Sequence, residues 1–218
     1  MAKQLNSKLV KSLIVPLTFP FLIWVVFLLS LFLELDLTRM GILPRDVLGI
    51  LGVVTAPLIH ANFSHLISNT IPLIVLGWSI SFFYNKVSSK VFLVVYLLTG
   101  LLVWLLAREV YHIGASGLVY AFVSFLFFSG IFRKDNKSIS IALLVTFLYG
   151  GIVWGILPGQ KGISWESHLF GAIAGLIAAY MFRKIDPQKK YAWEDEEDDF
   201  NVDDLEVSYD PEKNKFNL

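Results

Sequence analysis

The chain has 218 residues, of which 56% are hydrophobic and 17% are charged, and its formal net charge at pH 7 is zero. Soluble domains carry about 25% charged residues, so this composition excludes a soluble globular protein and indicates a membrane protein. The absence of cysteine excludes disulfides, thiol nucleophiles and cysteine-bound zinc. The lysines and arginines are spread through short loops rather than gathered into a stripe, which argues against binding of nucleic acid.

Six apolar stretches have the composition of membrane-spanning helices, which need about 20 residues each. In chain order they cover 13–33, 66–84, 91–107, 117–132, 138–158 and 167–182. The first follows three lysines like a signal sequence, but it is too long for a cleavable one and no small-x-small cleavage site follows it. The predicted fold is therefore an all-α membrane protein with a six-helix core over 13–186, preceded by a short N-terminal segment, 1–12.

Lysines and arginines in the short loops predict the orientation of the bundle. Twelve lie at the N-terminus, in the even-numbered loops and after the last span, and four lie in the opposite loops. Both termini are therefore expected in the cytoplasm. The tail, 187–218, holds a dense acidic run at 194–199 and few aliphatic residues, so it is predicted to be disordered.

The first external loop, 34–64, contains an unusual apolar segment. Residues 47–59 are uncharged, but they are too few to span a bilayer and are interrupted by two glycines and a proline. Such a segment is typical of an interfacial or re-entrant element. An ordinary packed loop explains it equally well at this point.

Strongly polar side chains are rare in the spans, and they gather at one end of alternate helices. His65 and Asn69 open the second span on one helix face, Ser116 opens the fourth and His168 opens the sixth. These three spans run from outside to inside in the predicted orientation, so the four side chains can meet at one external depth. Polar groups at depth in a membrane are candidates for function.

These residue types suit nucleophilic catalysis. A serine hydroxyl becomes nucleophilic when a base accepts its proton, and His168 is the candidate base for Ser116. The backbone N–H of Ser116, the amide of Asn69 and an N–H of His65 are candidate donors to the oxyanion. None of the six stretches contains a carboxylate, so the pattern predicts a Ser–His dyad.

Small and aromatic residues near the dyad are candidates for supporting roles. Gly171 and Gly175 give the sixth helix a flat face for close packing, and Gly117 offers a comparable surface on the fourth. Tyr120 lies one turn after the serine, where it can stack beneath the ring of the histidine. Two further external histidines are expected to support the site rather than to catalyse: His60 and His112.

Three short motifs carry these residues. The segment 60–69 reads HANFSHLISN, the segment 114–120 reads GASGLVY, beginning at Gly114, and the segment 168–175 reads HLFGAIAG. In this order they resemble the oxyanion motif, the Gly-x-Ser-Gly motif and the catalytic histidine motif of rhomboid intramembrane serine proteases. The resemblance covers the six-span core and leaves out the acidic tail.

This resemblance implies a serine endopeptidase that cleaves the transmembrane helices of membrane-protein substrates near their outer ends, without a metal or an organic cofactor. The family's first loop forms a membrane-embedded hairpin, which would account for 47–59. Many members carry a Trp-Arg pair there, and none of the six tryptophans here precedes an arginine. Short loops suggest a bacterial plasma membrane.

Two other classes of protein compete with this interpretation. A catalytically silent rhomboid-like protein would bind membrane clients, but such proteins usually lack the serine or the histidine, and this chain has both. A small transporter would place charged residues or broken helices near the midplane, whereas the polar groups here cluster at one end. Other intramembrane proteases need His-Glu-x-x-His or two aspartates within spans, and neither occurs.

Overall fold

The computed structural model describes residues 2–159, 163–185 and 208–217, which belong to a helical unit and a separate short hairpin. The helices of the first unit are α1 (Ala2–Phe32), α2 (Gly52–Thr55), α3 (Phe63–Phe83), α4 (Ser88–Leu106), α5 (Ser116–Arg133), α6 (Asn136–Tyr149) and α7 (Trp165–Met181). Short 3-10 helices lie between them at Thr38–Met40, Gly49–Leu51, Ala56–Leu58 and Gly150–Ile156.

Five helical segments within the described residues are long and apolar enough to cross a membrane. They are Leu9–Phe32, Phe63–Phe83, Ser88–Leu106, Ser116–Arg133 and Asn136–Ile156. The helix α7 has 17 residues and is about 25 Å long, less than the ~30 Å of a bilayer core. The protein is therefore a multi-pass membrane protein whose first unit is all-helical. Six crossings and the cytoplasmic location of both termini stay predictions.

Two of the predicted spans differ most from the helices that the structure shows. The helix α1 begins at Ala2 rather than at residue 13, because backbone hydrogen bonding continues through polar residues that a hydropathy window leaves out. The fifth predicted span ends in the 3-10 helix Gly150–Ile156, which begins with two consecutive glycines. Glycine loses the most conformational freedom in a regular helix, so this end of the span leaves the α conformation readily.

The helix α5 lies at the centre of the bundle. Over half of its apolar window is buried, compared with 17% for the window that contains α6. Leu118, Phe125 and Leu126 are almost completely buried on it. A helix that is apolar on all sides is stable only inside a bundle or a membrane. The helix α5 is buried inside the bundle. The nucleophile candidate is therefore carried by the most enclosed helix.

The segment 47–59 is a compact series of short helices with α2 at its middle. Val53 packs against α4 at Gly100: a Cβ added at Gly100 would lie 2.8 Å from Cγ1 of Val53. Val47, Leu48 and Leu51 on the same segment are exposed. These aliphatic side chains are not covered by other described residues, and the interfacial or re-entrant element stays a prediction beside the packed loop.

The hairpin pairs β1 (Ser208–Asp210) with β2 (Lys215–Asn217) in antiparallel register. The acidic run 194–199 and the predicted end of the core at 186 lie outside the described residues, as does Lys161, one of the bases counted in the external loops. The predicted disorder of the tail is therefore untested over 187–207, and the described end of the chain has local strand pairing.

Candidate active site

A cavity of about 610 Å³, lined by many polar residues, opens among the N-terminal ends of α3, α5 and α7. Its lining contains five of the residues singled out from the sequence: His65, Asn69, His112, Ser116 and His168. The loop 108–113 and the residues just before α7 complete the wall. The ends of alternate helices thus meet in the way that the sequence pattern requires.

Ser116 and His168 are in hydrogen-bond contact inside this cavity. Oγ of the serine lies 2.8 Å from Nε2 of the imidazole, and Nδ1 lies 2.9 Å from the carbonyl oxygen of Gly155. Because a carbonyl oxygen can only accept, the neutral ring must carry its proton on Nδ1. Nε2 therefore has a free lone pair that accepts the hydroxyl proton, as a general base requires.

The orientation of the His168 ring is fixed by its surroundings. Tyr120 stacks on one face, with ring centroids 4.1 Å apart and an interplanar angle of 7°. The tyrosine hydroxyl donates to the carbonyl oxygen of Ile152 at 2.7 Å. The carbonyls of Ile152 and Gly155 both come from the 3-10 helix Gly150–Ile156. A Cβ at Gly155 would lie 3.2 Å from the ring nitrogen Nδ1, so the ring packs directly on this backbone.

Sequence reasoning missed this 3-10 helix. The contributing atoms are backbone oxygens, which leave no trace in a search for polar side chains. The only available signal was the glycine content of the segment 150–155.

Asn69 and His60 form a buried pair beside the dyad. The amide nitrogen Nδ2 of Asn69 lies 3.1 Å from Nε2 of His60 and 3.1 Å from the carbonyl oxygen of His65. The N–H of Ala115 also approaches Nε2 of His60, at 3.5 Å, so that nitrogen faces two donors and acts as the acceptor. Both amide hydrogens of Asn69 are therefore directed to protein acceptors.

His60 lies before α3 and is held neutral by its environment. Burial, followed by the nearby His65, lowers its pKa to about 4. A charged ring would lose hydration without gaining an anion as a partner. This neutral state is consistent with the supporting role expected of His60, because Nε2 can then accept hydrogen bonds.

His65 lies against the loop that leads to the nucleophile. A Cβ at Gly114 would lie 2.7 Å from Nε2 of His65, and Gly114 has φ +102°, where side chains are strained. Glycine at this position thus permits both the left-handed turn and the close approach of the ring. The N–H of Ser116, at the first turn of α5, has no partner within its helix and is free in principle to bind an anion.

Close backbone contact brings α5 and α7 together. A Cβ at Gly171 would lie 2.9 Å from the carbonyl carbon of Gly117, and one at Gly175 would lie 2.9 Å from that of Ala121. Side chains at these positions would separate the helices. The glycines therefore allow the base to reach the serine, and the contact is of the small-xxx-small type.

One expectation requires correction. The predicted sixth span began at residue 167 and contained no carboxylate, but α7 begins at Trp165 and its first turn includes Glu166. This side chain is buried, 3.0 Å from Nε of Arg108. The ion pair balances the charge, which explains how a carboxylate is accommodated at this depth. Glu166 makes no hydrogen bond to His168, whose Nδ1 contacts Gly155 instead.

Comparison with known proteins gives one family and several relatives. A family model described as Rhomboid domain matches residues 48–185. Uncharacterized proteins of Mycobacterium tuberculosis and Mycobacterium bovis are each 39% identical over 183 residues, which cover 80% of this chain and 75% of each relative. An uncharacterized protein of Mycobacterium leprae is 37% identical over 185 residues, covering 80% of this chain and 72% of that protein.

Proposed function

The chain belongs to the rhomboid family, and from this premise we propose that it is an intramembrane serine endopeptidase. Its substrates are membrane proteins, which it cleaves within or beside a transmembrane helix near the external face of the membrane. The bacterial relatives favour a bacterial cell membrane as its location. The observation that carries this proposal is the 2.8 Å contact between Oγ of Ser116 and Nε2 of His168.

The proposed reaction begins when Oγ of Ser116 attacks the carbonyl carbon of the substrate peptide bond and its proton passes to Nε2 of His168. The tetrahedral oxyanion accepts hydrogen bonds from the N–H of Ser116 and from the side chains of His65 and Asn69. The imidazolium then gives its proton to the leaving amine. Water hydrolyses the acyl-enzyme, with the histidine again acting as the base.

The fixed tautomer of His168 supports this mechanism. In a serine protease triad a carboxylate usually accepts from Nδ1 and orients the ring. Here the carbonyl of Gly155 accepts that hydrogen bond, and Tyr120 holds the ring plane. A backbone carbonyl orients the imidazole but adds no full negative charge, so orientation is its main contribution.

Asn69 needs one rearrangement to take part. Its amide now donates to His60 and to the carbonyl of His65. When the intermediate forms, we expect the Asn69 amide to give up its hydrogen bond to the neutral His60 ring and to donate to the oxyanion instead. Hydrogen bonds to charged acceptors are stronger than those to neutral ones.

Labelling of detergent-solubilised protein with a fluorophosphonate tests the dyad directly. The probe reacts with activated serines, so wild type is expected to label, while Ser116→Ala and His168→Ala are expected not to label and to lose cleavage of a transmembrane substrate in liposomes. Ser79→Ala is a matched control, because Ser79 is a half-buried serine on α3 that lies outside the cavity lining and whose hydroxyl donates to the carbonyl of Val75.

The alternative is a catalytically silent protein that binds membrane clients. Folded wild type that never labels, in a detergent where an active rhomboid protease does label, would favour that function. Undiminished labelling of either dyad variant would show that a different serine or a different base is responsible.

A further inference from the structure

A second polar network lies in the wall of the same cavity, where Arg108, His112 and Ser164 are part of the lining, and it uses neither residue of the dyad. His112 is 2% exposed, and its backbone exchanges two hydrogen bonds of 2.9 Å with Ile42 of the first loop. Its ring bridges two groups, because Nε2 lies 3.1 Å from the carbonyl oxygen of Arg108 and Nδ1 lies 2.6 Å from Oγ of Ser164. The carbonyl can only accept, so Nε2 carries the proton and Nδ1 accepts from the Ser164 hydroxyl.

Ser164 is the residue that caps α7. Its Oγ accepts from the backbone N–H of Ser167 at 3.3 Å and lies 2.6 Å from Oγ of the same residue. Because the Ser164 proton is directed to His112, the Ser167 hydroxyl must donate to Ser164. The hydrogen bonds thus form one ordered chain from the first turn of α7 to the carbonyl of Arg108.

The Arg108–Glu166 ion pair joins the same two segments a second time. Nε of Arg108 lies 3.0 Å from Oε1 of Glu166, and its Nη2 donates to the carbonyl of Ile163 at 3.2 Å. Both segments matter for the dyad. The loop 107–115 leads into Ser116, and the first turn of α7 includes His168.

We propose that His112 is a positioning residue that fixes the start of α7, and with it His168, relative to the loop that carries Ser116. This inference rests on the proposed function. The N–H of His168 donates to the carbonyl of Ser164 at 3.3 Å, so a displacement of the capping residue is transmitted to the base one turn later. The glycine contacts between α5 and α7 set how closely the helices approach, while the His112–Ser164 bond sets the rotation and rise of the helix start.

Two substitutions at position 112 distinguish this hydrogen-bonding role from a role in packing alone. In His112→Asn the amide oxygen takes the place of Nδ1 and can still accept from Ser164. In His112→Gln the amide extends to the place of Nε2, and the acceptor for Ser164 is lost. Ser164→Ala removes the other partner of the same bond.

The kinetic test compares these variants on a transmembrane substrate in liposomes. We expect His112→Gln and Ser164→Ala to lower kcat by about 10- to 100-fold with KM within about twofold, because small misplacement of a base has effects of this size. His112→Asn should retain kcat within about threefold. Equal losses of kcat in the Asn and Gln variants would refute positioning through Nδ1.

Hydrogen–deuterium exchange of the amides of residues 167 and 168 provides a readout that is independent of activity. Exchange should increase in His112→Gln and Ser164→Ala and stay at the wild-type rate in His112→Asn. Unchanged exchange in His112→Gln would overturn the positioning role while leaving the Ser116–His168 dyad intact. If wild type fails to label with fluorophosphonate, the proposed function fails, and the exchange rates still decide whether His112 fixes the start of α7.

Discussion

The contact between Gly171 on α7 and Gly117 on α5 allows a quantitative prediction about the dyad. An alanine Cβ at position 171 would lie 2.9 Å from the carbonyl carbon of Gly117 and closer still to its oxygen, whereas ordinary contacts of a Cβ are 3.4 to 4 Å. The neighbouring atoms are backbone and cannot rotate away. The two helices must therefore part by about 1 Å in Gly171→Ala, an amount that overpacked interiors accommodate through backbone shifts.

This displacement is large on the scale of the dyad. The bond between Oγ of Ser116 and Nε2 of His168 is 2.8 Å, and a side-chain contact of about 3.6 Å or more is no longer a hydrogen bond. His168 lies one turn before position 171 on the same helix. We expect Gly171→Ala to lower the rate of cleavage about 100-fold, since a misplacement of ~1 Å can cost that much. Overpacking should also lower the free energy of unfolding by about 1–3 kcal/mol.

The assay measures fluorophosphonate labelling rates and melting temperatures of the same purified samples. Gly77→Ala is the control, because a Cβ at Gly77 on α3 would meet its nearest neighbours at 3.5 Å or more, which is ordinary van der Waals contact. Gly175→Ala is the second comparison. Its Cβ would lie 2.9 Å from the carbonyl carbon of Ala121, as close as that of Gly171→Ala to Gly117, but it lies a further turn from the histidine. We therefore expect a similar loss of stability with a smaller loss of labelling. A folded Gly171→Ala protein that labels at the wild-type rate would refute this account of how the helices position the base.

Two further predictions concern the pair of buried polar residues beside the dyad. Asn69→Ala should slow cleavage about 100-fold, at the lower end of the ~10²–10³ effect of an oxyanion donor, because the amide must first give up its bond to His60. Cleavage and phosphonate labelling are measured on the same samples, and labelling should persist. Wild-type turnover would remove Asn69 from the oxyanion site. The pKa of His60 is lowered to about 4 from its usual ~6.5, so the unfolded chain binds more protons than the folded protein between pH 4 and pH 6.5. The free energy of unfolding should therefore fall by up to about 3 kcal/mol as the pH drops from about 6.5 to about 4. Denaturation of wild type and His60→Gln across this range measures the effect, and an equal pH dependence in both would contradict it.

The resemblance to rhomboid proteases, drawn from three motifs, is confirmed at the level of the family by the match over residues 48–185. The membrane spans could also be predicted, because a helix that crosses a bilayer needs a long apolar stretch. Five of the predicted spans correspond to long apolar helices in the described residues. The bounds were less accurate where the helix extends beyond the apolar part, as it does from Ala2 in α1 and from Trp165 in α7.

Backbone atoms and compensated charges could not be predicted from residue types. The partner of Nδ1 in His168 is the carbonyl of Gly155, which any residue would provide and which only the fold brings to 2.9 Å. Glu166 lies at the start of α7 because Arg108, distant in sequence, neutralises it. The link between His60 and Asn69 likewise depends on how the first loop packs against α3.

The sequence by itself determined the chemistry that is available: a membrane bundle, one serine and one histidine at the same ends of alternate helices, and glycines that let those helices approach. Its periodicity and motifs encode these features locally, within single helices. Only the tertiary structure decided which nitrogen of His168 faces Ser116, which carbonyl orients the ring and how His112 ties the start of α7 to the nucleophile loop. Such choices depend on hydrogen bonds between segments 13 to 52 residues apart, and their geometry is set by the packing of the whole bundle.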